Sequence, residues 1–451
     1  MPTNRSGTFL AKWQEALRVL GWPLVLLLLV ALVLGGGGVR HGLANLVVQI
    51  VALGILLLYP GILRRFRDAA PKSLIILVAL TLLLPIFHLI PLPAGIWQSL
   101  PGREMALQSR ELVNSGNDWF PLTLDRGRTV TALVALVGPL AVIACFRFGS
   151  NSAPRHALAL LATVAFVQFA FGVIQFAAGG DTLTLYETNQ VGRFYGFFVS
   201  HIASGLVMVI GLCALVGHYL SDERSNVATL LYLAGGALLV IGVILTNSRS
   251  AVALLILPGL WVLAVAAKRA WVMPRRTRWG FLAAGIVGAM AVAAVFATND
   301  RLGRTWDRFD SFEDSRPDIW EDTLVGIDRY WPVGSGVGSF DEVFQVEESL
   351  EMLVAKKAAR AHNEYLEILL EAGIFGAILV SLWFVYLAYA VIRGLRSVHA
   401  PVTLAAAMAA LCFALQALVY FPLRNMAELC VAGLLVALLT APLTIKRDRS
   451  H

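Results

Sequence analysis

The chain alternates long apolar runs with short polar gaps. Each run approaches the ~20 residues that an α-helix needs to cross a hydrocarbon layer. The runs lie near 19–34, 43–63, 73–92, 129–146, 157–177, 203–220, 227–245, 251–267, 280–297, 373–392, 401–420 and 427–444. The pattern predicts an all-α polytopic membrane protein with about twelve transmembrane helices. Several runs contain glycine or proline, which membrane helices tolerate. The first run follows Arg5, Lys12 and Arg18 but meets Gly35–Gly38 instead of a small-x-small cleavage site. It therefore reads as a retained span.

Two gaps are long. One covers about 93–128 and holds Trp97, Trp119 and Phe120. The other covers 298–372 and mixes charges of both signs with aromatics. Long connections usually carry function or their own fold, so the second reads as a mostly helical cap between spans nine and ten. Within it, Ile319, Leu324, Ile327 and Tyr330 fall near helical spacing. Pro332, Gly334, Gly336 and Gly338 then break the helix. The chain divides into spans one to nine over 1–297, the cap over 298–372, and spans ten to twelve with the C-terminus over 373–451.

Composition agrees with this class: 58% of residues are hydrophobic and 14% charged, and mean hydropathy is +0.73. A net charge of +7 does not point to nucleic acid, because the basic residues cluster in alternate short gaps. Arg64, Arg65, Arg67 and Lys72 mark one gap. Lys268, Arg269, Arg275, Arg276 and Arg278 mark another; Arg393 and Arg396, then Lys446, Arg447 and Arg449, mark two more. With twelve spans all of these fall on the cytoplasmic side, both termini are cytoplasmic, and both long loops lie outside. The short outer gaps hold only Arg40, Arg193, Arg249 and Arg424. Cys145, Cys213, Cys412 and Cys430 all lie in apolar runs without a CxxC pair, so neither a zinc site nor a disulfide framework is indicated.

Four stretches offer chemistry. Ala361-His362-Asn363-Glu364 leads into the tenth span. His362 is the side chain there able to exchange a proton near neutral pH, and Asn363 is a helix N-cap candidate. Gly373 and Gly376 permit close helix contact. Glu364, Glu367 and Glu371 share one helical face, expected to be solvated where cap meets membrane. Thr246-Asn-Ser248-Arg249-Ser250 is wedged between two spans. Its guanidinium either snorkels to headgroups or meets an anion, for which a diphosphate suits its fork of donors. Arg193 and His201 flank the aromatic approach to the sixth span: Arg193 is a second phosphate-ligand candidate, and His201 reads as a polar lining residue. Arg316 pairs either with a ligand or with nearby acids. The glycine run 334–338 reads as a phosphate cradle or a hinge, without a P-loop lysine. No Asp-x-Asp pair occurs, so no metal is expected on a diphosphate.

His362-Asn363, nine residues, Gly373, two residues, Gly376 resembles the signature of the O-antigen ligase and O-antigen polymerase superfamily. Pro121-Leu-Thr-Leu-Asp125, the Arg193 region, Ser248-Arg249-Ser250 and Arg316 with the 332–340 run extend the resemblance over roughly 120–380. The family's usual Gly-x-Phe-x-Asn-x-Asn is replaced here by a stretch with Ser200 and His201. The resemblance implies a multi-pass glycosyltransferase of the bacterial inner membrane, with its active site at the periplasmic face. Its donor would be an undecaprenyl-diphosphate-linked glycan, and its acceptor a hydroxyl of lipid A–core or of another glycan. His362 would be the base and Arg249, Arg316 and Arg193 the diphosphate ligands, with no cofactor. An exopolysaccharide polymerase fits the same motifs, and a place in a polysaccharide assembly complex stays open. A twelve-span transporter of lipid-linked glycans is the rival from another class. It predicts titratable groups at mid-membrane and two comparable halves, whereas the spans are clean apart from His88 and Gln168 and no internal repeat is visible.

Overall fold

A computed structural model describes residues 9–38, 40–179, 183–187, 193–222, 224–272, 316–350 and 358–444. The ninth expected span, 280–297, the first part of the expected cap and the basic gap at 275–278 lie outside these residues. The chain starts with α1 (Phe9–Leu20), α2 (Trp22–Leu34), α3 (Gly42–Leu58), α4 (Gly61–Ala69) and α5 (Lys72–Leu89). The first long connection holds α6 (Ala94–Trp97), α7 (Glu104–Glu111) and two short antiparallel strands, β1 (Pro91–Leu92) and β2 (Phe120–Pro121). Next come α8 (Arg126–Ala135), α9 (Val137–Cys145), α10 (Ala153–Ala177), α11 (His201–Leu220), α12 (Asn226–Leu245), α13 (Arg249–Leu254) and α14 (Ile256–Val272). After the undescribed stretch follow α15 (Arg316–Tyr330), α16 (Phe340–Glu347), α17 (Glu364–Leu395), α18 (Ala400–Gln416) and α19 (Met426–Thr440).

Among the described residues, eight helices are long and apolar enough to cross a membrane, or up to ten if two bent pairs each make one span. The bends fall where the sequence breaks the helix. Gly21 takes φ +87° and turns α1 from α2 by 101°. Pro60, with the basic run Arg64, Arg65 and Arg67 behind it, turns α4 from α3 by 83°. The second apolar run therefore ends at Leu58, and α4 rests on the bundle through Ile62 with its arginines exposed. α18, with 17 residues, is apolar but shorter than the eight candidate spans.

The bundle is centred on α11 and α19, which are mostly buried while most of the other spans present outward faces. Small residues let α11 reach its neighbours: Gly205 faces Ala251, Gly211 faces Ala165 and Gly217 faces Ala405. Polar side chains fix the helix starts. Asp125, Ser200, Ser225, Ser248, Asn363 and Asn425 each accept a backbone N–H of the helix they begin, worth about 1 kcal/mol apiece. Gln168 and Gln175, in the middle and last turn of α10, hold the loop before α11. Gln168 bonds Tyr195 O, Phe197 N and Ser204 Oγ, and Gln175 bonds both N and O of Gly196. Gln168 is thus a scaffold residue, not a mark of a transport path.

Candidate functional site

His362 stands at the head of α17 with φ +52°, a left-handed backbone that costs a non-glycine residue ~1–3 kcal/mol. The residues on either side over-determine it. Ala361 O accepts from Trp320 Nε1 at 2.9 Å, and Ala361 N donates to Glu367 Oε2 at 3.3 Å. Asn363 Oδ1 accepts from Tyr365 N and Leu366 N, so the N-cap expectation holds. The imidazole meets Phe421 edge-on, ring centroids 5.0 Å apart.

Below His362 the three glutamates are not solvated. Glu364, Glu367 and Glu371 are 1%, 0% and 1% exposed. Arg424 accounts for this correction. Its Nη2 donates to Glu371 Oε2 at 2.7 Å, and its Nε lies 3.1 Å from Glu367 Oε1 and 3.6 Å from Glu364 Oε2. Arg360 adds a 2.6 Å bond to Glu367. Burial alone would pull the Arg424 pKa down, but Glu371, Glu367 and Glu364 more than offset it and raise it above the ordinary value. Each carboxylate also accepts from a backbone N–H of another segment: Leu423 for Glu364, Ala361 for Glu367 and Phe340 for Glu371. The network thereby ties α16, the His362 turn and the turn after α18 together.

Gly373 breaks α17 at φ +51° and ψ −136°, which frees carbonyls that an unbroken helix would satisfy. The glycine run fills the break. Ser335 N donates to Leu370 O at 3.0 Å, Gly336 N to Glu371 O at 2.8 Å, and Ile374 N to Pro332 O at 2.9 Å. Gly334, Gly336 and Gly338 all have positive φ and press on Glu371, Thr123 and Arg128. The run is a brace for the kink: the amides of Ser335 and Gly336 are engaged there, and a Cβ on any of its three glycines would meet Glu371, Thr123 or Arg128. Gly373 accordingly meets the Pro332–Val333 backbone, not a neighbouring helix, and Gly376 packs on Ile368 and Ala372 of its own helix. The buried Arg103 supports the brace from the first long connection, through Leu122 O and Gly334 O.

The other expected residues approach the turn 416–424 by separate routes. Ser248 caps α13, and Ser250 accepts from Gln416 Nε2 at 2.9 Å, so Arg249 starts a helix docked on the end of α18. Ala417 O accepts from Glu364 N at 2.9 Å. Arg193 is hydrogen-bonded to His201, at the first turn of α11. Beside it Ser200 is hydrogen-bonded to the hydroxyl of Tyr420. Tyr420 stacks on Phe421 at 4.5 Å, which in turn touches His362. Arg316 opens α15, one turn before the Trp320 that bonds Ala361. The segments that carry Arg249, Arg193 and Arg316 are thus linked to the surroundings of His362 through Ser250, Ser200 and Trp320, while Gly373 and Gly376 lie further down α17. An apolar cavity of about 780 Å³ extends below the glutamates between α5, α9, α17, α18 and α19.

Sequence reasoning missed Arg360 and Arg424 as partners of the glutamates. The signal was present: three carboxylates at i, i+3 and i+7 lead directly into an apolar run, and at membrane depth they require cations. No group of three His, Cys, Asp or Glu side chains able to hold a metal occurs among the described residues. No curated protein matches the chain. Residues 234–381 match the family model described as O-antigen ligase, a stretch that includes Arg249, Arg316 and His362 but not Arg193 or Arg424. Over residues 234–381 the chain carries the domain of the O-antigen ligase superfamily.

Proposed function

We propose that the chain is a metal-independent glycosyltransferase of the ligase type, taking a glycan from undecaprenyl diphosphate to an acceptor hydroxyl at the periplasmic face of the inner membrane. The observation that carries this reading is the position of His362. Inside the matched domain, it is held in a left-handed turn at the head of a capped helix, and two arginines of the same domain, Arg249 and Arg316, begin helices whose Ser250 and Trp320 bond to the end of α18 and to Ala361.

In this reading His362 Nε2 or Nδ1 takes the proton of the acceptor hydroxyl. The oxygen attacks the anomeric carbon and forms the new glycosidic bond as the bond to the diphosphate oxygen breaks, inverting the centre. The diphosphate leaves on its lipid with the bonding electron pair. Arg249, Arg316 and Arg193 neutralise that charge through forked donors, and Ser248, Ser250 and Asn363 shape the backbone beneath. Arg424 takes no part in the chemistry: with three carboxylates around it, it organises the turn on which Phe421 and His362 rest. A polysaccharide polymerase would use the same groups with a growing glycan as acceptor.

Purified protein, a polyprenyl-diphosphate-linked glycan and a panel of acceptors test the reading. Transfer with release of polyprenyl diphosphate is expected; export of intact donor without transfer would replace the reading with a transporter.

A further inference from the structure

On the face of the bundle opposite His362, three arginines gather around two tyrosine rings. α11 leaves the loop whose Ser200 meets Tyr420 and runs 20 residues, roughly 30 Å, to His218, Tyr219 and, just past its end, Asp222. The start of α10 brings Arg155 to the same place, the start of α12 brings Tyr232, and the end of α14 brings Arg269. Arg155 pairs with Asp222, which Arg224 Nη2 also approaches at 3.4 Å. Arg224 lies over the Tyr232 ring, 5.4 Å from its centroid, and donates to His218 O at 3.0 Å. Arg269 lies over the Tyr219 ring, 5.2 Å from its centroid, and donates to the Tyr219 hydroxyl at 2.7 Å. The two rings are 5.3 Å apart, and a 2.6 Å hydrogen bond between the Tyr232 hydroxyl and His218 Nδ1 fixes the second.

Two features set this cluster apart from arginines that merely snorkel. Its guanidiniums are held in place. Stacking on a ring and bonding to a fixed partner remove side-chain freedom before a ligand arrives, so a phosphate meets forked donors already placed. Its charge is also unbalanced. The three guanidiniums meet one carboxylate among the described residues, that of Asp222. Their sequence neighbours Lys268 and Glu223 cancel, which leaves an excess of two positive charges. Arg155 and Arg269 keep part of their surface open. Next to them the first turns of α12 present Val227, Leu230, Leu231 and Leu233 outward. A grip for phosphate therefore adjoins an apolar strip for hydrocarbon, with tyrosines at the level where a membrane meets water.

We propose that this cluster binds the phosphate of an anionic glycerophospholipid in the leaflet opposite His362, with an acyl chain along the first turns of α12. The excess positive charge selects an anionic headgroup over a zwitterionic one, whose own cation it repels. No residue of the cluster takes part in the glycosyl transfer described above, so the lipid site stands apart from that reading.

The test is photolabelling of the full chain in mixed micelles with phosphatidylglycerol bearing a diazirine in one acyl chain. Labelling should saturate and map to the first turns of α12. Unlabelled phosphatidylglycerol should displace it, whereas phosphatidylcholine at the same concentration should not. Arg155→Gln together with Arg269→Gln should raise the half-saturating concentration ~30-fold, about fivefold for each arginine. Arg64→Gln together with Arg67→Gln is the control. It removes the same charge from α4, whose Phe66 packs on Phe148 shortly before the start of α10, and should leave labelling unchanged. An equal loss in that control would mean diffuse attraction to the whole face and overturn the proposal. Equal displacement by phosphatidylcholine would overturn it as bulk lipid contact, and displacement by inorganic phosphate would overturn it as a free-anion site. The competition arms use the unmodified chain, so they decide the matter even if the double variant does not fold.

Discussion

Arg424→Ala is the perturbation whose size the structure fixes best. Glu364, Glu367 and Glu371 have side chains at most 2% exposed, and Arg424 touches all three. Removing one member of a buried ion network costs ~3–5 kcal/mol. The lower end applies here, because every carboxylate keeps another donor. Glu364 retains Leu423 N at 2.8 Å, Glu367 retains Arg360 Nη1 at 2.6 Å, and Glu371 retains Phe340 N at 3.2 Å. A loss of about 3 kcal/mol, or ~10²-fold in the unfolding equilibrium, is expected. Denaturant unfolding in mixed micelles, followed by tryptophan fluorescence, measures it. Glu371→Gln added to Arg424→Ala removes one stranded charge and should recover ~1 kcal/mol or more. An Arg424→Ala protein within about 0.5 kcal/mol of the parent, the range of ordinary surface substitutions, would refute the network. So would a double variant less stable than the single one.

The remaining predictions concern the kink, the anion site, the metal and the topology. Gly373→Ala sets a Cβ against the Pro332 and Val333 backbone at φ +51° and should cost roughly 2–4 kcal/mol, read by the same unfolding assay. Arg249→Ala should abolish transfer while leaving stability near the parent's, and Arg249→Lys should rescue poorly for want of the bidentate fork; full activity in the alanine variant would make Arg249 a headgroup contact. Transfer should survive saturating EDTA in the purified system, and a loss that magnesium or manganese restores would show a bound metal. A reporter fused after Arg276 should be cytoplasmic and one after Glu348 periplasmic; finding both on one side would end the twelve-span topology.

Much of the fold was legible because apolar runs at membrane length have one stable outcome, a helix that satisfies its own backbone. The start of α17 was readable from Asn363, since capping is local chemistry, whereas the caps Ser200 and Ser248 on α11 and α13 emerge only in the structure. Two kinds of feature were not readable. The bends at Gly21 and Pro60 lie within or beside apolar runs, where hydropathy alone counts the residues as span. The fate of Glu364, Glu367 and Glu371 depended on Arg424, more than fifty residues away along the chain, and no periodicity encodes such a pairing. The glycine run presents the same difficulty. Its composition suits a cradle, a hinge or a brace, and only the kink at Gly373, which supplies the free carbonyls, selects the brace. His362 was visible through the His-Asn spacing, but its left-handed backbone and its seat on Phe421 come from tertiary contacts.

The most direct test of the account is a paired measurement on His362→Ala: glycan transfer rate and affinity for the polyprenyl-diphosphate-linked donor, from one purified preparation. General base catalysis contributes ~10²–10⁴-fold, so the rate should fall by that factor. Donor affinity should stay close to the parent's, because arginines, not the imidazole, are assigned to the diphosphate. An affinity that collapses together with the rate would make His362 a binding residue, and an unchanged rate would leave it only the turn before a helix cap.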